Sequence, residues 1–313
     1  MQLQTKIPLA KAEHQIDYDS RSLLLGSCFA ENMGDKLAYF KFQGIQNPFG
    51  ILFHPLAIEN LVSRTVHRQA YSADEVFFLN ERWQCFDAHS DLSATSREEL
   101  LQNLNVGLET ALAQIRETTH MVITLGTAWA YRNIKSDRFV ANCHKVPQKE
   151  FSKELISVAS VVDSLRNTMD LVGSVNQDVK FIFTVSPVRH LKDGFVENQR
   201  SKAHLLTAVH ALLGVGSFYF PAYEIMMDEL RDYRFYDTDM VHPNSLAIDY
   251  IWEKFKYVWI SGAAYPVMEK VAEVQKGLLH RPFAPESDKH RQFLAKQQQR
   301  IGELREEYPF IKF

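Results

Sequence analysis

Two potential nucleophiles, Ser27 and Cys28, stand side by side near the start of the chain. They follow an apolar run that ends in Gly26, and a helical pattern over residues 30–40 comes directly after them. Ligands of parallel α/β sheets bind at the carboxyl ends of strands, and a helix N-terminus stabilises a thiolate or a developing oxyanion. This strand-to-helix junction therefore predicts nucleophilic catalysis by one of the two side chains.

Far downstream, a carboxylate stands three residues before a histidine, at Asp239 and His242, and Pro243 follows. This spacing lets both side chains face a nucleophile from one loop. His242 would act as general base and then as general acid, while Asp239 fixes its tautomer and stabilises the imidazolium. The alternative is structural: Asp239 or Asp237 caps a turn, and His242 caps the following helix. Because the first motif supplies a nucleophile in the correct chain order, we favour the catalytic interpretation.

The composition suits an ordinary soluble globule, with 46% hydrophobic and 23% charged residues among 313. A formal net charge of −3 gives no electrostatic reason to expect nucleic acid or an anionic membrane as a partner. The three cysteines do not form a disulfide framework, and residues 1–19 lack the apolar segment of a signal peptide. No apolar run approaches the ~20 residues of a membrane span. We therefore expect a reduced, cytoplasmic protein without a membrane segment.

Apolar strands alternate with amphipathic helices over most of the chain. Such alternation predicts a parallel sheet covered by helices on both faces, which is a three-layer α/β/α, flavodoxin-like fold. Two short strand patterns flank Asn80-Glu81 and predict a β-hairpin inserted near residues 71–92. The pattern of residues 152–171 predicts an amphipathic helix.

The composition changes at about Pro266, where Lys, Glu, Gln and Arg begin to dominate. We therefore divide the chain into an α/β domain over residues 1–262 and a helical extension over residues 263–313 that packs on it. The extension carries no catalytic signature. Its helices are a candidate contact for an oligomer.

Several segments carry a family resemblance. They are Gly26-Ser27-Cys28-Phe29-Ala30, Asn47-Pro48-Phe49-Gly50, Thr124-Leu125-Gly126-Thr127, Cys143-His144-Lys145, Ser186-Pro187-Val188-Arg189-His190 and Asp239 through His242-Pro243. The first is the motif that names the GSCFA family, and the ordered set resembles this family over roughly residues 20–262. The GSCFA family in turn resembles the SGNH/GDSL hydrolase superfamily. The resemblance implies an SGNH-hydrolase-like fold and acyl-transfer chemistry.

The SGNH pattern places the nucleophile two residues after a strand-ending glycine. That register puts Cys28 on the nucleophile and Ser27 on the preceding aspartate. Ser27 remains the alternative if the turn is shifted by one residue, and it also fits a helix N-cap. We favour Cys28, because of the register and because a thiolate is intrinsically nucleophilic. The helix N-terminus and His242 are expected to lower the pKa of its thiol below the ~8.5 of a free cysteine.

The resemblance also implies three oxyanion donors. SGNH enzymes use the nucleophile's own N–H, a glycine N–H after the second strand, and an asparagine side chain from a Gly-x-Asn segment. Gly50 matches the glycine, but Gly126-Thr127-Ala128 carries alanine where the asparagine is expected. Such a donor is commonly worth ~3 kcal/mol of activation barrier. Asn47, Thr127 and His144 are the candidates to replace it, although Asn47 beside a proline is also a common turn former.

Two further residues lie at the end of a predicted strand on the same edge of the sheet. Arg189 and His190 could bind a carboxylate or phosphate of the substrate. An ion pair within the loop is the alternative. His144 follows Cys143, but no CxxC or HxxxH spacing accompanies the pair, so we expect no metal site and no cofactor.

Two classes of function follow. The leading hypothesis is an acyl-transfer enzyme, an esterase or O-acyltransferase that acts on a small-molecule or carbohydrate ester through a covalent acyl-enzyme. The alternative is a non-catalytic module that keeps the SGNH fold and binds a small molecule or carbohydrate.

Overall fold

The computed structural model describes residues 4–313. The strands are β1 (Arg21–Gly26), β2 (Gln43–Gln46), β3 (Val76–Leu79), β4 (Arg82–Cys85), β5 (His120–Leu125), β6 (Trp129–Asn133), β7 (Arg138–Val140), β8 (Phe151–Leu155), β9 (Lys180–Val185) and β10 (Ser217–Tyr219). The helices are α1 (Cys28–Tyr39), α2 (Pro55–Val66), α3 (Arg97–Glu117), α4 (Val158–Gly173), α5 (Phe195–His210), α6 (Ala222–Glu224), α7 (Ser245–Trp259), α8 (Tyr265–Leu278) and α9 (Asp288–Glu307). Within the described residues, no helix has the length and apolarity needed to cross a membrane.

A parallel sheet of five strands, in the order β10-β9-β5-β1-β2, lies at the centre of the molecule. Successive residues of β1 enter two different apolar clusters, because side chains alternate between the faces of a strand. Leu23 and Leu25 belong to one cluster, and Leu24 belongs to the other. Helices therefore cover both faces of the sheet, which confirms the predicted three-layer α/β/α fold.

The order of the five strands fixes where a ligand can bind. After β1 the chain adds β2 on one side, and it then returns to place β5, β9 and β10 on the other side. The sheet therefore has a topological switch point between β1 and β5, and ligands of open α/β sheets bind in the crevice outside the strand ends at such a point. Cys28 follows β1, and Gly126-Thr127 follow β5, at this place.

The predicted hairpin is confirmed as β3 and β4, which pair in antiparallel fashion from Val76↔Cys85 to Leu79↔Arg82. Its two turn residues, Asn80 and Glu81, have positive φ angles of 52° and 60°. This is the geometry of a tight two-residue turn whose twist matches the flanking strands.

A second antiparallel sheet, in the order β7-β6-β8, was not expected from the sequence. The helix predicted over residues 152–171 is wrong at its start, since Phe151–Leu155 pairs with β6 and the helix begins at Val158. Ser157 caps that helix by accepting a hydrogen bond from the Ser160 N–H. The polar, short β8 lacks the apolar alternation that identifies a strand in a sequence.

The C-terminal extension shares a core with the α/β domain. Val267 and Val271 of α8 and Ile301 of α9 lie in the same buried cluster as Trp252 and Phe255 of α7. The extension therefore forms no core of its own.

Candidate active site

Ser27 and Cys28 differ in environment although they are neighbours. Ser27 is fully buried, and its Oγ caps α1 by accepting a 3.4 Å hydrogen bond from the Phe29 N–H. Its own N–H donates to the carbonyl of Thr124 on β5 at 3.0 Å. Cys28 is the first residue of α1 and is only partly buried. Solvent or a ligand can reach Cys28, whereas Ser27 serves as the helix cap.

Gly26 permits the close approach that forms this junction. Its φ of +132° lies outside the range of ordinary side chains, and a Cβ at this position would overlap the carbonyl oxygen of Thr124. The Gly26 N–H donates to Oδ1 of Asn47 at 2.9 Å. The strand-ending glycine is therefore required by the contact between β1 and β5.

The expectation of a low pKa for Cys28 is wrong for this structure. Burial is the largest influence and raises the pKa of the thiol, and the charge of Glu31 raises it further. The cation of Lys202 and the backbone N–H groups of Phe29 and Cys28 act in the opposite direction but do not prevail. The helix N-terminus thus favours the thiolate as expected, but desolvation outweighs it.

Asp239 and His242 form a hydrogen-bonded pair. Asp239 Oδ2 lies 2.6 Å from Nδ1 of His242, and Oδ1 accepts the backbone N–H groups of Val241 and His242 at 2.8 and 2.9 Å. These three hydrogen bonds lower the pKa of Asp239 to about 2, and the bond from the backbone N–H of His242 has the largest effect. Asp239 therefore stays ionised and orients the imidazole. The alternative role of His242 as a helix cap is excluded, because Asn244 caps α7.

Arg189 anchors the loop that carries this pair. Its backbone N–H donates to the Val241 carbonyl at 3.2 Å. Its guanidinium donates to the Met240 carbonyl and stacks on the ring of Tyr236, 4.1 Å from the ring centroid. Arg189 has no carboxylate partner within residues 4–313. The ion pair in the loop is therefore not formed among the described residues, and Arg189 instead contacts the loop that carries Asp239 and His242. Binding of a substrate anion by Arg189 stays a prediction.

In the part of the chain that the structure describes, the His242 ring makes no hydrogen bond to Cys28 or Ser27. Charge interactions nevertheless connect the two segments through intermediate groups. Lys202 acts on both Cys28 and His190, and His242 acts on His190. The Asp–His loop and the cysteine therefore border one cluster of titratable side chains.

Two of the proposed oxyanion donors belong to the turn after β2. The N–H of Gly50 donates to the Asn47 carbonyl at 2.7 Å and closes this turn, so it is already engaged. The side chain of Asn47 also has protein partners, since Oδ1 accepts from Gly26 and Nδ2 donates to Glu31 at 3.3 Å. Asn47 has a φ of 40°, which asparagine tolerates better than most residues. Asn47 and Gly50 therefore shape the turn.

The other two candidates are also engaged. Thr127 Oγ1 lies 3.0 Å from Ser201 Oγ and accepts the Trp129 N–H at 3.0 Å. Nε2 of His144 donates to the Cys85 carbonyl at 2.6 Å, beside the hairpin. Burial lowers the pKa of His144, so it remains neutral. Both side chains therefore have protein partners in this conformation, and His144 Nε2–H is not free for an oxyanion.

His190 lies beside Gly126, the first residue of the segment that lacks the expected asparagine. A Cβ on Gly126 would come within 3.3 Å of His190 Nε2, and the ring packs edge-on against Phe53 at 5.6 Å. Its backbone N–H donates to Oδ1 of Asn198 at 2.9 Å. Nε2 is buried and has no hydrogen-bond partner among the described residues. Burial first, then Lys202 and His242, lowers the pKa of His190 to about 3, so the imidazole is neutral at ordinary pH.

Lys202 of α5, which no motif in the sequence singles out, lies at the centre of this cluster. Its side chain is buried, and Nζ donates to the carbonyls of Gly126 at 2.7 Å and Ser186 at 2.8 Å, just beyond the carboxyl ends of β5 and β9. Burial lowers the pKa of Lys202 to about 7, against the influence of Cys28. Within residues 4–313, no group of three or more His, Cys, Asp or Glu side chains is placed to hold a metal ion.

Fold and site together define a flavodoxin-like α/β protein with a cysteine at its topological switch point. The chain belongs to the GSCFA family, whose model matches residues 21–255, and the model of the GSCFA domain protein, C-terminal domain, matches residues 271–313. The solved structures that match include a carbohydrate esterase family 3 from Talaromyces cellulolyticus, with 9% identity and a TM-score of 0.36 over 81% of this chain and 99% of that one. No curated protein matches the chain.

Proposed function

We propose that this protein is an acyl-transfer enzyme, an esterase or O-acyltransferase, that acts on a small-molecule or carbohydrate ester through an acyl-Cys28 intermediate. The observation that carries the proposal is the position of Cys28, partly exposed, at the helix N-terminus that follows the switch-point strand. The hydrogen-bonded Asp239 and His242 on the loop held by Arg189 support it.

In this mechanism His242 takes the proton of the Cys28 thiol, and the sulfur attacks the ester carbonyl carbon. The tetrahedral intermediate collapses to a thioester, and the alcohol leaves with the proton from His242. Water, or the hydroxyl of an acceptor, then gives a proton to His242 and attacks the thioester carbonyl. The C–S bond breaks, the acid or the new ester leaves, and His242 returns the proton to the Cys28 sulfur. Since the ring has no hydrogen bond to Cys28 in the described conformation, the loop must approach when substrate binds, as catalytic contacts often tighten in the complex.

The oxyanion requires donors that are not already engaged. We assign this role to the backbone N–H of Cys28 and to Nε2–H of His190. A neutral imidazole donates one hydrogen bond, and the low pKa of His190 keeps it neutral. Its lack of a partner in the described residues supports this assignment.

A non-catalytic binding module is the second candidate. It is favoured by the raised pKa of Cys28 and by the engagement of Gly50 and Thr127. In that case the crevice binds its ligand without a covalent step.

The test is intact-mass measurement after incubation with p-nitrophenyl acetate and with a panel of acetylated sugars. The enzyme proposal predicts a mass gain of one acetyl group, located on Cys28 by peptide mapping and lost in Cys28→Ala. Cys143→Ala is the matched control, because Cys143 is also partly exposed but is not at the switch point. A Cys28 that acetylates no faster than Cys143, in a protein that still binds a sugar by calorimetry, would favour the binding module.

A further inference from the structure

Lys202 is a buried cation whose charge no carboxylate compensates. Its side chain is 1% exposed, and no ion pair involves it within residues 4–313. The carbonyl oxygens of Gly126 and Ser186 accept two of its three N–H groups, but a carbonyl carries no net charge. A buried charge without an anion is unfavourable, which is why burial lowers the pKa of Lys202 to about 7, and an anion beside it would stabilise the ammonium.

The groups that face Lys202 identify this partner. The ring of Tyr223 of α6 lies 5.6 Å from Nζ, His190 faces it from the loop after β9, and Cys28 faces it from α1. Burial raises the pKa of Tyr223, so its phenol stays protonated, and His190 cannot become an anion. Cys28 is the remaining group that can ionise to an anion.

We propose that Lys202 is a positioning residue whose buried ammonium is the counter-charge of the Cys28 thiolate. The inference rests on the proposed function, because it makes the thiolate the working form of the nucleophile. Lys202 spans the carboxyl ends of β5 and β9, so the charge is fixed to the rigid sheet. Glu31 faces Cys28 from α1 and opposes the thiolate, although Asn47 donates a hydrogen bond to its carboxylate.

The interaction is reciprocal. Lys202 lowers the pKa of Cys28, and Cys28 raises the pKa of Lys202, while burial acts against the charged form of each. The pair therefore titrates as a unit, and the thiolate is favoured only while Lys202 keeps its proton. Without Lys202, burial and Glu31 should raise the pKa of the Cys28 thiol further, because only the helix N-terminus would still favour the thiolate.

The experiment measures the rate of Cys28 alkylation by iodoacetamide against pH, with peptide mass spectrometry to separate Cys28 from the other two thiols. In Lys202→Met and Lys202→Gln, the midpoint of the profile should rise by about 1 pH unit, which slows alkylation at pH 7 about tenfold. Lys254→Met is the matched control, because this lysine of α7 pairs with Glu229 and is not among the charges that act on Cys28, so its loss should leave the midpoint unchanged. A midpoint that does not rise in folded Lys202 variants would overturn the inference.

A second measurement uses the wild-type protein and tests the inference even if neither Lys202 variant folds. In the wild type, a fixed cation near the sulfur should favour anionic iodoacetate over neutral iodoacetamide. We expect the ratio of the two alkylation rates to be several-fold higher at Cys28 than at Cys143, and an equal or lower ratio would count against the buried counter-charge. Both measurements follow the thiol and not turnover. A shifted midpoint without an acyl-Cys28 adduct would therefore reject the proposed function and retain the inference.

Discussion

Asp239 holds His242 at two points: one carboxylate oxygen accepts the backbone N–H of His242 at 2.9 Å, and the other lies 2.6 Å from Nδ1 of its ring. Asp239→Asn keeps an oxygen for the backbone but loses the charge that fixes the ring. We expect the rate of Cys28-dependent acetyl-ester hydrolysis to fall about 100-fold or more. The control is Asp237→Asn in the same loop. Unchanged hydrolysis in Asp239→Asn would reduce Asp239 to a turn-forming residue.

Ser27→Ala and Cys28→Ala should separate stability from chemistry. Removal of the Ser27 cap should lower the free energy of unfolding by about 1 kcal/mol in urea denaturation, with the acetylation of Cys28 retained. Cys28→Ala should abolish acetylation and change stability less, because this side chain is only partly buried. If Ser27→Ala is the variant that loses the adduct, the register that favours Cys28 is wrong.

Arg189→Met should loosen the Asp239–His242 loop. The guanidinium hydrogen bond to the Met240 carbonyl and the stacking on Tyr236 are lost, while the backbone hydrogen bond to the Val241 carbonyl remains. Hydrogen exchange of residues 237–243 should therefore become several-fold faster, and ester hydrolysis should slow. Arg234→Met is the matched control, since Arg234 is largely exposed and pairs with nearby Asp232. An effect confined to acidic substrates, with unchanged exchange in the loop, would instead indicate that Arg189 binds substrate.

Lys202 should make stability depend on pH in a defined direction. Its folded pKa of about 7 lies below the ordinary 10.5, so between these values the unfolded chain binds the proton and the folded protein releases it. Unfolding free energy therefore rises with pH in this window, by at most about 1.4 kcal/mol per pH unit, and this gain is lost as pH falls toward 7. The measurement is urea denaturation of wild type minus Lys202→Met from pH 7 to 10. A flat difference would mean that Lys202 has an ordinary pKa.

Gly50→Ala should be more costly than Gly216→Ala, although both glycines have positive φ angles of 70° and 79°. A Cβ at position 50 would overlap the Cβ of His89, whereas at position 216 its nearest contact is the Val179 carbonyl at 4.0 Å. We expect Gly216→Ala to cost about 1 kcal/mol of unfolding free energy, and Gly50→Ala at least twice that. Equal losses would show that the turn can move away from His89.

The parallel sheet and the hairpin could be predicted from the sequence because their signals are local. β5 contains the apolar run Met121-Val122-Ile123, and Asn80-Glu81 separates two strand patterns by the length of a tight turn. The sheet β7-β6-β8 was not predicted, since its strands are short and polar residues interrupt them. Phe151–Leu155 forms a strand because β6 supplies its backbone hydrogen-bond partners. A local sequence pattern does not show such a partner, because β6 belongs to another segment of the chain.

The same limit applies to the site. The position of Cys28 after β1 followed from the chain order, but the hydrogen-bond partners of candidate donors did not. Thr127 is engaged by Ser201, 74 residues away, and His144 by the Cys85 carbonyl. Likewise, a lysine on a helix is usually exposed. Lys202 lies beside the ends of two strands because of the way α5 packs on the sheet. No local sequence pattern predicts this packing.

The C-terminal extension packs against the C-terminal end of α1, the helix that begins with Cys28. Gln275 of α8 donates to the carbonyl of Tyr39, the last residue of α1, at 3.1 Å, and Val271 and Ile301 share a buried cluster with Met33 and Leu37 of α1. A chain that ended at residue 262 would expose this apolar face, which promotes aggregation. The two regions matched by the family models are thus joined through one shared apolar core. Neither part should be transferable to another protein without the other.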